Sequence, residues 1–579
     1  MAEVYTVSYD NETLKKLYNS KRESDDYIGA LSVLKRMRRA NPDDFSLCQE
    51  FAEVYYLLEA YDNSVEETFK YLGGLDKEVA SLYKTILSDE DKLLIKTKYA
   101  KSYCALGSAY YRSGNDKVAG YYYNKQLKTV QAKFDVYYDA LSDFLQEITD
   151  VRSNYYIAYP YEKADFSNLL DECEEHFRSG DYELAVEKLS VIPKTSKYYS
   201  EALLQIALCK YFLDEEDDCV KTFDKLIKLY PTNVYALCNA ISINNKIGNK
   251  TKVKNYREKL DKIEITDDLE LYKAIMAYSE IGDELRAEKY CRKYLKIHPY
   301  DTNVLLIGGQ IKYNLSKYSE AEKYFTKAYQ ITGSCTARHY LTITERKISG
   351  VKAPNKFEYS FDIPDAERKK ILKGITHYIN SDLTNLSQED YDLIYYIASY
   401  AFETQSYGLQ STAVTVLSSL TTKTAQQMLV SALVKPSVFD QIKAGILGFL
   451  TADGYTGIEP SEFGNVYKKI EFINTKFEGE GSQVMNEAYA LCFAKVAPLE
   501  DNLDALRLTA VDMFYNYGVD FSLITDVKSL SALIFELSEI KPIKNRREYA
   551  KFFDANLKEI KRLKELFMAS KKEREEKLK

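Results

Sequence analysis

The sequence of 579 residues contains no tryptophan, only four histidines and only eleven prolines. With 23 glycines it is also poor in turn-forming residues, which disfavours a turn-rich β fold and favours long helices. Its most apolar runs, such as MLVSALV at 428–434, are too short to cross a bilayer. The start, MAEVYTVSYDNETLKK, has no basic segment followed by an apolar one, so no secretory signal is visible. We therefore expect a helical, cytoplasmic protein.

The residue patterns of common catalytic and metal sites are also missing. The nine cysteines form no C-x-x-C pair and do not cluster with His176, His298, His339 or His377, as expected for reduced thiols in helical cores. There is no H-E-x-x-H, no phosphate-binding G-x-x-x-x-G-K-[ST] and no G-x-S-x-G. The acidic run at 214–218 is predicted to be a solvated turn. We predict no metal, no cofactor and no enzymatic activity.

Charge is nearly balanced overall but uneven along the chain. The net charge of -8 gives no general case for nucleic-acid binding. Residues 541–579, however, hold 14 Lys and Arg against 7 Asp and Glu. From Tyr549 the apolar residues recur at steps of three and four, which predicts a basic amphipathic helix over 549–579.

A repeat of 34 residues runs through the middle of the chain. Small or apolar residues recur in one phase at Ala185, Cys219, Val253, Ala287 and Ala321. Turn residues fall between the halves of these units, as at Gly248-Asn249 and Gly282-Asp283. A fixed period of this length indicates stacked supersecondary units, each of which needs its neighbours to bury its apolar face.

This pattern resembles the tetratricopeptide repeat (TPR), a helix-turn-helix unit of 34 residues. The best single copy is the tyrosine-rich stretch at 103–123, which contains Tyr103, Leu106, Gly107, Tyr110, Gly114, Ala119 and Tyr123 at the pattern's positions. The resemblance implies an all-α superhelical solenoid, in which Tyr103, Tyr110 and Tyr123 pack between helices. It leaves the roles of Tyr121 and Tyr122 undecided.

The repeat phase and its interruptions predict the domain organisation. The predicted segments are an N-terminal TPR block at 1–133 with an inserted helix at 73–96, a degenerate repeat or joint at 134–165, a second block of five repeats and a cap at 166–350, a linker at 351–365, a helical C-terminal domain at 366–548 and the basic helix at 549–579. Two prolines and no helical period mark the linker.

The C-terminal domain loses the 34-residue phase but stays helical. Residues Pro436, Asp440, Ile442, Lys443 and Leu447 are similar to the second helix of a HEAT repeat, so the resemblance implies a HEAT-like α-helical region. The segment 454–474 alternates partly and holds Gly and Pro, which makes a β-hairpin insertion an alternative to a further helix.

The TPR resemblance implies a concave surface lined by the first helix of each repeat. At the inward positions of this sequence it gives the expected partner-binding residues, which are Tyr56, Tyr111, Tyr211, Tyr235, Asn239, Asn245, Tyr272, Gln310 and Tyr313. Aromatic rings give contact area at low entropic cost, and carboxamides hydrogen-bond to peptide backbone. The Lys/Asn clamp with which some TPR co-chaperones hold a C-terminal carboxylate is absent from the second block.

Two functions remain open at this point. The first is a non-catalytic protein-protein interaction scaffold that binds a peptide or helix of a partner in the concave groove. The alternative is a regulatory or RNA-associated module that uses the basic C-terminal helix against RNA or a nucleoprotein. A protein or peptide is the expected partner in the first case and a nucleic acid in the second.

Overall fold

A computed structural model describes residues 11–82, 88–129, 166–379, 383, 386–420, 422–473, 476–500, 503–540 and 546–578. Within these ranges the protein is helical apart from one two-stranded sheet, which confirms the expected all-α class. The chain divides into two compact units. Unit 1 combines Met1–Asp143 with Asp365–Lys579, and unit 2 is the intervening Phe144–Pro364.

The repeat-bearing helices occupy the first part of unit 1 and all of unit 2. In unit 1 they are α1 (Asn11–Glu23), α2 (Tyr27–Ala40), α3 (Leu47–Leu57), α4 (Tyr61–Leu82), α5 (Asp89–Arg112) and α6 (Asp116–Thr129). In unit 2 they are α7 (Ser167–Ser179), α8 (Tyr182–Leu189), α9 (Tyr199–Phe212), α10 (Glu216–Leu229), α11 (Val234–Ile247), α12 (Lys250–Leu260), α13 (Asp268–Glu280), α14 (Glu284–Ile297), α15 (Thr302–Asn314), α16 (Tyr318–Thr332) and α17 (Cys335–Ile348).

The second part of unit 1 is also helical and carries the sheet. Its elements are α18 (Asp365–Ile379), α19 (Gln388–Glu403), α20 (Tyr407–Ser418), α21 (Lys423–Ala432), α22 (Asp440–Asp453), β1 (Gly457–Phe463), β2 (Val466–Phe472), α23 (Ser482–Val496), α24 (Asp504–Tyr515), a 3-10 turn (Phe521–Leu523), α25 (Val527–Leu537), α26 (Arg546–Phe552) and α27 (Leu557–Leu578).

Unit 2 is a succession of antiparallel helix pairs, and its local sequence explains where the helices begin and end. The pairs are α7–α8, α9–α10, α11–α12, α13–α14 and α15–α16, with α17 packed on α16. The side chains of Asn233, Asp267 and Asp301 cap the starts of α11, α13 and α15 by accepting a backbone N–H. Gly248 ends α11 at φ +86°, a backbone conformation that glycine adopts without strain.

Small residues at the repeat positions let the paired helices approach closely. Ala185, Cys219, Ala287 and Ala321 are fully buried. A Cβ atom placed on Gly309 would lie 2.5 Å from the Cε1 atom of Phe325. Because such a contact is far shorter than van der Waals distance, a glycine is needed where α15 crosses α16.

Two predicted segments look different in the structure. Residues 73–82 continue α4 and residues 89–96 begin α5, so the inserted helix at 73–96 is wrong as a separate element: the insertion lengthens two repeat helices instead. The basic tail at 549–579 is split, because α26 ends at Phe552 and α27 begins at Leu557. The joint at 134–165 lies outside the described residues.

The hairpin of β1 and β2 joins the two parts of unit 1. Its register pairs Gly457 with Phe472 and Phe463 with Val466. The Tyr467 ring stacks on Phe69 of α4 at 5.7 Å between centroids, and its hydroxyl donates to the carboxylate of Asp76.

Further hydrogen bonds tie the hairpin to the N-terminal repeats. The backbone N–H of Tyr467 donates to the hydroxyl of Tyr122 at 2.7 Å, and that hydroxyl donates to the carbonyl of Asn465 at 2.9 Å. Lys77 of α4 pairs with Glu459 at 3.0 Å. These contacts fix the N-terminal repeats to the C-terminal region within a single unit.

Candidate functional site

A pocket of about 210 Å³ opens on the first helices of three successive repeats in unit 2. It lies along α9, α11 and α13. Its lining consists of Leu208, Tyr211, Phe212, Cys238, Asn239, Ser242, Ile243, Lys246, Tyr272, Lys273, Met276, Ala277 and Glu280. We call this cavity, with the residues that line it, the groove pocket.

The repeat register explains why these residues meet. Cys238 and Tyr272 occupy the fifth position of their repeats, 34 residues apart, and Leu208, Ser242 and Met276 occupy the ninth. Stacking one repeat on the next places equal positions in rows along a common face. These two rows, which are apolar apart from Ser242 and the Tyr272 hydroxyl, therefore form the floor of the groove pocket, and polar residues at neighbouring positions form its walls.

Carboxamides and charged groups give the pocket its polar character. The Asn239 Nδ2 donates to the Tyr235 carbonyl at 2.9 Å in its own helix, while the Asn245 Nδ2 donates to the Glu280 carbonyl at 3.2 Å and so links α11 to α13. The exposed side chains of Lys246 and Lys273 lie beside the same opening. Such groups provide hydrogen bonds and charge for a peptide, and the apolar floor provides buried area.

Acidic side chains lie near the starts of α9 and α11. Burial and, to a smaller extent, the charges of Asp171 and Glu174 raise the pKa of Glu201 at the start of α9. At the start of α11, burial is again the main cause that raises the pKa of Tyr235, and the nearby carboxylates of Asp267, Glu270 and Asp268 add to it. The charged residues that line the groove pocket itself are Lys246, Lys273 and Glu280.

Aromatic rings build the N-terminal wall of the pocket. The rings of Tyr182 and Phe212 stack at 5.2 Å, and Phe177 meets Phe212 edge-on at 5.4 Å. Tyr211 contacts Phe212 at 5.4 Å. Phe212 is 51% exposed, so this cluster presents an apolar edge to solvent at the mouth of the pocket.

The expected binding residues of unit 2 fall into three groups, two of which lie at or beside the groove pocket. Tyr211, Asn239 and Tyr272 line the groove pocket. Tyr235 and Asn245 lie beside it on the same helix and do not line it.

Gln310 and Tyr313 are fully buried under the chain's own segment 351–364, which we call the strap. The expected linker thus covers the last repeat of the array. These two side chains are already engaged within unit 2.

The two expected binding residues of unit 1 lie at equivalent positions of their repeats. Tyr56 in α3 and Tyr111 in α5 are both half-buried. The Tyr56 ring meets Tyr61 edge-on at 5.6 Å. Their participation in binding stays a prediction.

Sequence reasoning missed part of the pocket. Leu208 and Cys238 form its floor, yet they were absent from the expected set because they are apolar and carry no recognisable binding chemistry. The repeat register does place them at inward positions, so the signal was present. Lys246, Lys273 and Glu280 follow from the same register.

The basic C-terminal helix uses its apolar face within unit 1. Ile560, Leu563 and Phe567 of α27 are fully buried. Lys564 pairs with Glu536 at 2.7 Å, and Arg574 donates to the Tyr515 carbonyl at 2.8 Å. The structure therefore accounts for the amphipathic pattern by packing, and contact with RNA stays a prediction.

Metal binding and membrane insertion are two further possibilities for the described part of the chain. It contains no group of three or more His, Cys, Asp or Glu side chains placed to hold a metal ion. Nor does any helix in those ranges combine the length and apolarity needed to cross a membrane.

Comparisons with known proteins identify the repeat. The family profile described as "Tetratricopeptide repeat" matches residues 201–233, which span most of α9 and all of α10. No curated protein matches the chain.

Among solved structures, the chain is similar to the TPR2AB-domain:pHSP90 complex of yeast Sti1, with 16% identity, 49% of this chain and 97% of that chain covered, and a TM-score of 0.20. It is also similar to the P58(IPK) TPR domain, with 15% identity, 58% of this chain and 98% of that chain covered, and a TM-score of 0.21. These scores are low and carry no argument. The profile match shows one tetratricopeptide repeat at 201–233, and it lies within five helix pairs of common 34-residue phase, so the repeat array of unit 2 is similar to tetratricopeptide repeats.

Proposed function

We propose that this protein is a non-catalytic interaction scaffold that binds a peptide segment of a partner protein in the concave groove of unit 2. The observation that carries the proposal is the groove pocket, to which three successive repeats contribute side chains at equivalent inward positions. An apolar floor flanked by carboxamides, lysines and aromatic rings suits a peptide that buries one side chain and hydrogen-bonds through its backbone.

The test is quantitative affinity capture with the full-length protein. The triple variant Tyr211→Ala/Asn239→Ala/Tyr272→Ala removes two rings and one carboxamide from the pocket. We expect capture of the partners that the unchanged protein retains to fall at least about tenfold. Tyrosine is enriched among the few interface residues whose truncation costs about 2 kcal/mol or more, and the variant removes two tyrosines.

The matched control is Leu229→Ala/Leu285→Ala. These leucines are 49% and 69% exposed and lie on the second helices of their repeats, outside the pocket. The control variant should retain the partners. An unchanged partner set in the triple variant would rule out the groove pocket as the binding site.

A further inference from the structure

The strap (351–364) crosses the concave face of the last repeat as irregular, extended chain. Its backbone is held by two carboxamides of α15. Gln310 pairs with Ser360 in both directions, donating to its carbonyl at 2.6 Å and accepting from its N–H at 3.0 Å. Asn314 pairs with Phe357 in the same way at 3.0 and 2.7 Å. The strap is thus bound as a peptide would be.

These paired hydrogen bonds do not depend on the side chains of the strap. A carboxamide offers one donor and one acceptor, so it satisfies both backbone groups of a single residue in an extended chain. Gln310 and Asn314 stand at the ninth and thirteenth positions of their repeat, where Ser242 and Lys246 stand in the groove pocket. The strap therefore occupies the same inward face, further along the array.

Two neighbouring side chains of the strap make specific contacts. The Phe357 ring stacks on Tyr313 at 4.0 Å between centroids and meets Tyr340 edge-on at 5.0 Å. Lys356 pairs with Glu284 of α14 at 3.0 Å. The surface beneath the strap therefore contacts a cation followed directly by an aromatic ring.

We propose that the strap is a built-in ligand, and that the surface beneath it binds partner peptides of the same chemistry: an extended segment with Lys or Arg followed by an aromatic residue. The proposal deepens the function proposed above and rests on it, since the partner of the groove is then the segment that displaces the strap. A partner must carry this cation-aromatic pair to compete with the chain's own copy.

Other contacts of the strap are spread unevenly along it. The hydroxyls of Tyr313 and Tyr340 donate to the carbonyls of Pro354 and Asp362. The buried hydroxyl of Tyr359 interacts with the side chain of Asn314. Phe361, in the same segment, is 40% exposed and contributes little to holding it.

Binding of a labelled synthetic peptide tests the proposal directly. The probe is the sequence of residues 351–364 with a fluorophore, added to the full-length protein. Phe357→Ala in the protein loosens its own strap, so the probe should bind at least about tenfold more tightly than to the unchanged protein, since the fraction of open site rises. The matched variant Phe361→Ala should bind like the unchanged protein. A probe in which Lys356 and Phe357 are both alanine should not bind.

Amide hydrogen exchange on the unchanged protein covers the case in which Phe357→Ala fails to fold. The N–H groups of Phe357 and Ser360 should exchange faster than those in the middle of α15, because the strap opens without unfolding the helix. Exchange of all these groups at one common rate, or no gain of probe affinity in a folded Phe357→Ala variant, would show the strap to be a permanent part of the fold.

These outcomes are separate from those of the capture experiment. Probe binding to Phe357→Ala with no effect of the pocket variant on captured partners would overturn the groove pocket and leave the strap site standing. If the pocket variant loses its partners but the probe does not bind to Phe357→Ala, the strap site is overturned and the groove pocket stands.

Discussion

At the residue scale, the informative side chains are polar groups that lie where two distant segments of unit 1 meet. Glu66 of α4 pairs with Lys70 at 2.8 Å and with Lys435, which follows α21, at 3.3 Å. Burial works to raise the pKa of Glu66, but the two ammonium charges outweigh it and lower that pKa from 4.5 to about 2. A carboxylate that is held charged in this way stabilises the folded state.

The stabilisation by Glu66 should depend on pH. Because its folded pKa lies below its unfolded one, the contribution is complete above about pH 4.5 and is lost as the pH falls towards 2. The difference between the unfolded and folded pKa values corresponds to about 3 kcal/mol of stabilisation. Glu66→Gln should therefore lower the free energy of unfolding by up to about 3 kcal/mol at pH 7 and by about half as much at pH 3. Urea unfolding at both pH values measures this difference.

Glu12→Gln is the control for this measurement, because the Glu12–Lys16 pair is largely exposed. It should change the free energy of unfolding by less than about 1 kcal/mol. If Glu66→Gln lowers the free energy of unfolding by the same amount at pH 7 and pH 3, the charge of Glu66 is not the source of the stabilisation.

At the element scale, the hairpin is anchored to α22 by a buried ion pair. Lys443 is fully buried and pairs with Glu462 of β1, whose carboxylate also accepts the N–H of Asn465 in the hairpin turn. Burial raises the pKa of Glu462 despite the attraction of Lys443. The pair therefore fixes the orientation of the hairpin relative to α22.

Removing one member of this pair should be costly. Lys443→Met leaves a buried carboxylate without its cation, so the free energy of unfolding should fall by about 3–5 kcal/mol at pH 7. The loss should shrink at pH 5, since a carboxyl with a raised pKa takes up a proton more readily in the folded protein. Chemical denaturation at both pH values tests this.

Two further variants complete that test. Lys443→Met/Glu462→Gln should recover much of the lost stability, because no buried charge remains. Lys528→Met removes a cation from an exposed pair with Asp554 and should cost less than about 1 kcal/mol. A large loss in the exposed variant, or none in Lys443→Met, would contradict the assignment.

At the scale of the whole molecule, unit 1 is built from the beginning and the end of the chain. Its two parts meet where Gly73 of α4 faces Pro460 of β1: a Cβ atom on this glycine would lie 2.5 Å from the proline ring. The close approach leaves no room for a larger residue. This close approach at Gly73 therefore adds to the polar contacts of Tyr467, Lys77 and Lys435 that join the two parts.

The two parts should associate as separate chains. Residues 1–143 and 365–579, co-expressed, should copurify, and Gly73→Val should reduce the yield of the complex several-fold because its side chain overlaps Pro460. Gly445→Ala is the control, since a Cβ there has open space around it. Independent elution of the two unchanged fragments in gel filtration would contradict the prediction.

The sequence allowed the helix pairs of unit 2 and the inward rows to be predicted, because both follow from a local period. It did not reveal the strap: two prolines without helical period indicate only a linker, and the bonds from Gln310 and Asn314 join residues 50 and 43 positions apart. The same limit explains Tyr122, whose role the repeat pattern left undecided. It is fully buried and bonds to a hairpin 343 residues later, while its neighbour Tyr121 is 42% exposed.

The contact between Asp76 and Tyr467 has a consequence for synthesis of the protein. The two residues are 391 positions apart, and ribosomes add about 5–20 residues per second. The hairpin therefore emerges about 20–80 s after the helix that it covers. During that interval the nascent N-terminal repeats expose the surface around Phe69, while the whole of unit 2 is synthesised. A chaperone that occupies this surface until translation ends would protect it.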